Sequence, residues 1–288
     1  MSRGIAYALL AYVAWGLFPL YFRHLGGVGA FEIVLHRVAW SLVFLLALLA
    51  GLRRWQWLAP LARQPKILAA ASLSALLLAA NWTLYVWAVM NGRVIDASLG
   101  YFINPLVNVL LGFVVLHERL RPAQWCAVAL AAAGVAWLAL RGPQLPWIGV
   151  AIAFSFGLYG LLRKTAALGA IEGLTLETMI LAPLAIALLG WWTWQGSGGL
   201  AGHDAATLAW LVGVGPLTAV PLLLFGAGAR RIPMATLGLL QYVSPTLQLM
   251  LGVWLFGESL SGARLAGFAL IWLALAVYSA EGWLRARR

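Results

Sequence analysis

Long apolar stretches constrain this chain more than any other feature of its sequence. Windows of about 20 apolar residues, the length that an α-helix needs to cross a bilayer, recur along the 288 residues. Only 9% of the residues are charged and the mean hydropathy is +0.92, far from the values of ordinary soluble domains. Alternating strands of the kind that build membrane barrels are absent from the sequence. It therefore predicts an all-α integral membrane protein.

The apolar windows predict ten spans that are joined mostly by short connections. These spans are expected to form one compact bundle without a soluble domain. The first span follows Arg3 without a small-residue cleavage site behind it, so we interpret it as an uncleaved span and not as a signal peptide. The ten spans are predicted at residues 4–22, 31–52, 67–90, 96–116, 122–140, 146–163, 173–195, 206–228, 234–256 and 263–283.

The basic residues indicate how the spans are oriented. The net charge of +11 comes from basic residues, often in pairs, between the apolar runs, a pattern that fits membrane orientation better than a nucleic-acid surface. With the N-terminus inside, cytoplasmic segments hold fourteen of the 19 Lys and Arg residues, and outer segments hold four. Because positive residues favour the cytoplasmic side, both termini are predicted to be cytoplasmic.

Two stretches in opposite halves of the chain share one pattern. Residues 101–112 read YFINPLVNVLLG and residues 241–252 read QYVSPTLQLMLG, so a proline and a glycine recur at one constant offset. Glu118 maps onto Glu258 at the same offset, and several matches at one offset indicate a duplication. Each copy holds five spans, an odd number, so the second copy enters the membrane inverted. We predict two inverted five-helix repeats, residues 1–142 and 143–288, within one transmembrane domain.

The first proline-centred stretch carries polar side chains at membrane depth. Inverted repeats in transporters place the binding site near the midplane, at the repeat interface. Asn104 and Asn108 lie roughly 12–18 Å into a span that begins near Asp96, and Tyr101 shares their helical face. Such amides line a cavity or join neighbouring helices, and both interpretations stay open. The other candidate binding residues are Asn81, Tyr85, Tyr159, Gln241 and Gln248, of which the aromatic ones fit interfacial anchoring as well.

Prolines and charges inside the spans are candidates for hinges, gates or ion coupling. Pro105 and Pro245 cannot donate to the carbonyl four residues earlier, so each marks a hinge or a simple kink. His36, Arg37 and Glu177 lie one to two turns inside spans, where charge is costly and is usually functional. The structural alternatives are pairing with helix ends, or an Arg37 side chain that extends to the membrane surface.

Motifs for catalysis fail in this sequence. His117 and Glu118 begin like a zinc-protease helix, but Arg121 stands where the second histidine is needed. There is no nucleophile elbow and no P-loop. Cys126 is the single cysteine, which excludes an internal disulfide. We therefore expect no enzymatic activity, no metal and no cofactor.

Several motifs along the whole chain resemble the EamA-type proteins of the drug/metabolite transporter superfamily, and more closely the RarD-like members. The resemblance implies a bacterial inner-membrane exporter of small metabolites such as amino acids or drugs. It also implies a cavity lined chiefly by spans one, three, four, six, eight and nine, and supports Asn81, Asn104 and Gln241 as binding positions. The motifs are residues 11–19 (AYVAWGLFP), 35–37 (LHR), 97–108 (ASLGYFINPLVN), 155–164 (SFGLYGLLRK), 174–178 (LTLET) and 239–246 (LLQYVSPT).

The sequence thus favours a secondary transporter that works by alternating access around a midplane cavity. No acidic residue neighbours the amides, so we expect a neutral polar cavity for a zwitterion or an uncharged molecule. The expected partners are the solute and the lipid bilayer, without nucleic acid. Small residues at 131–134 favour close helix contacts, within one chain or in a homodimer. The alternative is a channel-like facilitator or a membrane scaffold without coupled transport.

Overall fold

A computed structural model describes residues 3–61, 63–90, 94–140, 147–255 and 262–286. Every predicted span coincides with a long helix, except that the ninth coincides with two consecutive helices. The helices are α1 (Arg3–Phe22), α2 (Ala30–Leu52), α3 (Leu58–Leu61), α4 (Pro65–Met90), α5 (Val94–Val114), α6 (Pro122–Leu140), α7 (Trp147–Thr165), α8 (Ala170–Gln195), α9 (Ala205–Ala229), α10 (Met234–Gln241), α11 (Val243–Trp254) and α12 (Gly262–Ala286). A 3₁₀ turn, Arg23–Leu25, follows α1.

Several of these helices are suited to a bilayer. Among the described residues, α1, α2, α4, α6, α8 and α9 are long and apolar enough to cross a membrane. Shorter apolar segments, Gly100–Val114 and Leu265–Glu281, lie in α5 and α12. The chain is therefore a multi-pass membrane protein.

Helices from the first half of the chain pack mainly on helices from the second half. Helix α5 packs on α7 and α10, α6 on α12, and α2 on α8 and α9, while α1 contacts α9 and α11, and α4 contacts α7. An aromatic cluster lies where α1, α7 and α9 meet, with ring centroids 5.3–6.3 Å apart. Its members are Tyr12, Trp15, Phe156, Tyr159 and Phe225.

The two proline-centred stretches differ in backbone structure. Helix α5 runs through Pro105 without interruption. The second copy is divided at Tyr242, and Pro245 is the third residue of α11. At the division, Thr246 donates from both its backbone N–H and its hydroxyl to the Tyr242 carbonyl, over 3.2 and 2.8 Å. The helix is therefore interrupted in the second copy only.

The small residues of α6 are used within the chain. A Cβ added at Gly134 would lie 2.8 Å from the carbonyl oxygen of Gly267 on α12. Ala131 is fully buried and packs in one cluster with Ile271 and Ala274 of α12. Close backbone approach of two helices requires such small side chains. These contacts hold α6 against α12.

The connection between α8 and α9 has well-defined ends. Gly196 has φ of +67° and ends α8 in the left-handed conformation that glycine adopts without strain. Asp204 caps α9 by accepting a hydrogen bond of 2.8 Å from the backbone N–H of Thr207. Hydrogen bonds from the Thr207 side chain and backbone hold the pKa of Asp204 below its ordinary value. Both helix ends are thereby fixed by local chemistry.

Candidate functional site

Three buried amide side chains meet where α5 and α10 cross. Asn108 donates to Asn104 Oδ1 over 2.9 Å and to Gln241 Oε1 over 3.1 Å. Asn104 donates to the Ala153 carbonyl on α7 over 3.0 Å. In this conformation the three amides therefore join α5, α7 and α10. Asn108 Oδ1 has no hydrogen-bond partner among the described residues and lies within 4 Å of the position that a Cβ at Gly160 would take.

Residues that correspond in the two halves of the sequence make equivalent hydrogen bonds near these amides. Asn104 bonds to the Ala153 carbonyl, and Ser244, the repeat equivalent of Asn104, bonds to the Tyr12 carbonyl over 2.8 Å. Tyr12 and Ala153 also occupy equivalent positions in the repeat, at an offset larger by one. Two positions related by the repeat thus make the same kind of bond to two related helices.

Two glycines at corresponding positions in the two halves also make equivalent close contacts. A Cβ at Gly16 would lie 2.8 Å from Leu247, and a Cβ at Gly157 would lie 2.7 Å from Val107. Gly157 is the repeat equivalent of Gly16, and Leu247 is the repeat equivalent of Val107. The crossings of α1 with α11 and of α7 with α5 are therefore close and alike.

The remaining predicted polar residues are distributed over other contacts. Asn81 is buried and donates to the Ile152 carbonyl over 2.8 Å and to Ser155 Oγ over 3.0 Å, which joins α4 to α7. Gln248 donates to the Trp15 carbonyl over 3.2 Å. Among the bonds that the described residues make, neither side chain is joined to Asn104, Asn108 or Gln241.

The predicted tyrosines occupy two environments. Tyr159 is fully buried and stacks on Phe225 in the aromatic cluster, with ring centroids 6.1 Å apart. Tyr85 and Tyr101 contact each other edge to face at 6.0 Å and are 36% and 38% exposed. The last two also lie close enough to Arg37 for electrostatic interaction. Of the three predicted tyrosines, Tyr85 and Tyr101 therefore offer accessible surface near a charge.

A small cavity lies beside Arg37, between α2, α4, α8 and α9. The Arg37 Nε donates to Thr218 Oγ1 on α9 over 3.0 Å, and the guanidinium carbon lies 4.5 Å from the centroid of the Trp82 ring. The side chain thus points into the protein and does not extend to the membrane surface. The cavity is lined by Arg37, Val38, Ser41, Leu78, Trp82, Leu174, Glu177, Thr178, Leu181, Thr218, Ala219 and Leu222.

This cavity differs from the expectation in position and in charge. It lies on spans two, three, seven and eight, whereas the family resemblance implied spans one, three, four, six, eight and nine. The reason is that amides and aromatic rings of α1, α5, α7 and α10 bond and pack with one another where the sequence predicts the binding cavity. The cavity lining also contains the guanidinium of Arg37 and the carboxylate of Glu177, so it is charged and not the uncharged polar lining that was expected.

Glu177 forms a buried ion pair at the edge of the same cavity. Arg163 Nη1 lies 3.2 Å from Glu177 Oε1, and the two side chains are 2% and 3% exposed. Ser74 on α4 donates to the same oxygen over 2.8 Å. Arg163 also donates to the Ala170 carbonyl over 2.9 Å. Glu177 thus joins α4, α7 and α8.

His36 belongs to a second acidic cluster, nearer the other end of the bundle. Glu32 Oε1 lies 2.9 Å from His203 Nε2 and 4.0 Å from His36 Nε2. The Gly199 backbone N–H also donates to this carboxylate. Trp40 donates to His36 Nδ1 over 3.1 Å. The cluster ties α2 to the connection between α8 and α9.

Sequence reasoning did not assign the partners of these charges. Arg163 is one of the fourteen basic residues predicted to be cytoplasmic, and its opposite sign and its place one helix before Glu177 are the signal that pairs the two. Thr218 and Ser74 carry no such signal, because hydroxyls are common in apolar helices. The carboxylate of Glu118 accepts from the Met234 and Ala235 N–H groups at the start of α10 over 2.8 and 3.1 Å. Its repeat equivalent, Glu258, lies outside the described residues.

The sequence and the helical membrane fold both match the EamA-like transporter class. Residues 2–140 match the family model described as the EamA-like transporter family. A solved crystal structure superposes with a TM-score of 0.71 over 97% of both chains, and at 21% identity it shows the fold alone.

Relatives that match the full length of the chain show which members of this family it resembles in sequence. An uncharacterised transporter of Pseudomonas aeruginosa is 48% identical over 100% of this chain and 97% of its own length. Proteins named RarD from Streptomyces exfoliatus and Escherichia coli are 44% and 41% identical, over 99% of this chain and 90% and 97% of their own lengths. The chain therefore belongs to the RarD-like members of the EamA family.

Proposed function

We propose that this protein is a secondary transporter of small metabolites that works by alternating access. The observation that carries the proposal is the recurrence of contacts at the repeat offset, in which Asn104 with Ala153 matches Ser244 with Tyr12. Two inverted five-helix units with equivalent interfaces can exchange conformations, and this exchange opens a shared site to each side in turn. The proposed units are residues 1–142 and 143–288, with ten spans and cytoplasmic termini in a bacterial inner membrane.

The packing of the helices supports this division. In the proposed repeat, α1, α2, α4, α5 and α6 correspond to α7, α8, α9, α10–α11 and α12. The contact of α5 with α7 then corresponds to the contact of α10 and α11 with α1. The contact of α2 with α9 likewise corresponds to that of α8 with α4. The pairs α6–α12 and α2–α8 each consist of two equivalent helices, so each corresponds to itself. A twofold axis between the units explains why the same pairs form twice. The amide network at α5 and α10 lies on this axis, where Pro105 and Pro245 are placed to act as hinges.

The two charged clusters are suited to act as gates in this scheme. His36 and Glu177 occupy equivalent positions in the two repeats, and each lies within a polar cluster that joins several helices. With the proposed orientation, the Glu177 cluster lies towards the cytoplasm and the Glu32–His36 cluster towards the outside. Protonation of Glu177 would release its bonds to Arg163 and Ser74, which is a route to proton coupling.

Counterflow in proteoliposomes tests the transport proposal. Solutes are first selected from amino acids and related metabolites by thermal shift, because a bound ligand stabilises the folded protein. A carrier gives saturable counterflow, and Asn104→Ala, compared at equal amounts of folded protein, should abolish it. Flux without saturation or counterflow would favour the channel, and the absence of flux would favour the scaffold.

A separate measurement tests the coupling. If Glu177→Gln leaves uptake driven by a proton gradient intact, Glu177 is not the coupling group. Loss of gradient-driven uptake with retained counterflow supports the assignment.

A further inference from the structure

Arg37 presents an uncompensated positive charge to the cavity. Its Nε is bonded to Thr218, and its guanidinium lies over the Trp82 ring, but the structure gives its terminal nitrogens no hydrogen bond to any described residue. Among the described residues, no carboxylate lies within 4.0 Å of this guanidinium. Arginine stays protonated in proteins, and Arg37 is partly buried, so an anion beside its guanidinium would be stabilised.

The nearest acid of the cavity is already engaged. Glu177 lines the same cavity, but its Oε1 is paired with Arg163 at 3.2 Å and accepts from Ser74. Arg37 is also the single basic residue among those that line the cavity. The cavity therefore contains one positive charge without an ion pair, and a ligand with one negative charge would balance it.

The other walls of the cavity are apolar or aromatic. Leu78, Leu174 and Leu222 contribute aliphatic surface, and Trp82 contributes a ring face. The partly exposed rings of Tyr85 and Tyr101 lie beside the same guanidinium. The planar fork of an arginine matches a carboxylate through two parallel N–H donors. In this conformation the cavity holds about 10 Å³, room for one small polar group, and its apolar walls suit an apolar group on the same molecule when the site opens.

We propose that Arg37 binds the carboxylate of the transported solute and that this solute is a small monocarboxylate with an apolar body. The statement about transport rests on the proposed function, whereas the statement about binding does not. A single guanidinium balances a monoanion, so a dianion should bind less well. Tyr85 and Tyr101 would mark the path by which the solute reaches Arg37.

Thermal shift on detergent-purified protein tests the binding with matched probes. Phenylacetate should raise the unfolding temperature, while phenylacetamide, its neutral isostere, and phenethylamine, a cation, should not. Phenylphosphonate, which carries more than one negative charge near neutral pH, should give a smaller rise. Equal stabilisation by phenylacetate and phenylacetamide would overturn the role of charge. Equal or greater stabilisation by phenylphosphonate would overturn the preference for a monoanion.

Variants locate the binding at Arg37. Arg37→Met should weaken phenylacetate binding roughly 10- to 100-fold, as expected for the loss of charge-assisted hydrogen bonds, and Arg37→Lys should weaken it less. Arg119→Met, at an exposed arginine, is the matched control and should bind normally. Unchanged affinity in Arg37→Met would overturn the assignment. The comparison of phenylacetate with its amide uses the unaltered protein, so it tests the role of charge even where Arg37→Met does not fold, and Arg37→Lys then tests the location.

Transport is measured separately with labelled phenylacetate in liposomes. Binding without counterflow would remove the proposed transport function and leave the carboxylate site in place. Counterflow of other solutes without phenylacetate binding would support the transport function and remove the proposed carboxylate site.

Discussion

Arg163 and Glu177 form an ion pair that is almost completely removed from solvent. Removal of one partner leaves an uncompensated buried charge, which in proteins costs about 3–5 kcal/mol. We predict that Arg163→Met lowers the free energy of unfolding by about this amount, and that the double variant Arg163→Met/Glu177→Gln recovers much of the loss. Thermal unfolding in detergent measures both.

The control for this pair lies at the surface. Arg54 Nη1 is 3.6 Å from Glu172 Oε1, but the Arg54 side chain is 60% exposed. Such pairs contribute about 0–1 kcal/mol, so Arg54→Met should change stability little. If Arg54→Met and Arg163→Met have equal effects, burial does not determine the strength of the Arg163 pair.

The helix crossings depend on glycine at two equivalent positions. Alanine at Gly16 or Gly157 would place a Cβ within 2.8 Å of atoms on the facing helix, whereas Gly190 on α8 has nothing within 4 Å. We predict that Gly16→Ala and Gly157→Ala each lose about 1–3 kcal/mol through overpacking. Gly190→Ala should be neutral or stabilising, because alanine favours a helix over glycine. Denaturation in mixed detergent compares the three variants, and equal stability of all three would contradict the close crossings.

The start of α10 depends on a carboxylate from another helix connection. Glu118 accepts from the Met234 and Ala235 N–H groups and lies 3.9 Å from Lys164 Nζ. Glu118→Ala should destabilise this helix start by about 0.5–2 kcal/mol, the usual value of an N-cap. Hydrogen exchange of residues 234–241 should accelerate, and Glu118→Gln should retain more protection because it keeps one acceptor. Unchanged exchange in Glu118→Ala would show that packing alone orders α10.

Topology is a property of the whole molecule, and its prediction rests on the charge bias. In a Cys126→Ser background, a cysteine at exposed Ser197 should react with an impermeant maleimide in intact cells. A cysteine at exposed Arg119 should react only after the membrane is opened. The reverse pattern would invert the proposed orientation, and a mixed pattern would indicate dual insertion.

The helices were predictable because each span depends on local hydropathy. The predicted spans differ from the observed helices by at most three residues at any described end. The break between α10 and α11 at Tyr242 could not be predicted in this way. Pro105 and Pro245 stand at equivalent positions, and yet the helix is interrupted in only one of the two copies. That difference depends on the neighbours of each helix and not on its own residues.

The sequence by itself determined the membrane class, the helix positions and the offset of the repeat. These follow from apolar run length and from matching residues, and neither depends on long-range contact. Only the tertiary structure decided that Asn104, Asn108 and Gln241 bond to one another and that Glu177 is paired with Arg163. It also placed Arg37 over Trp82 beside a cavity. Side chains far apart in the chain meet through helix rotation and crossing, which hydropathy does not encode.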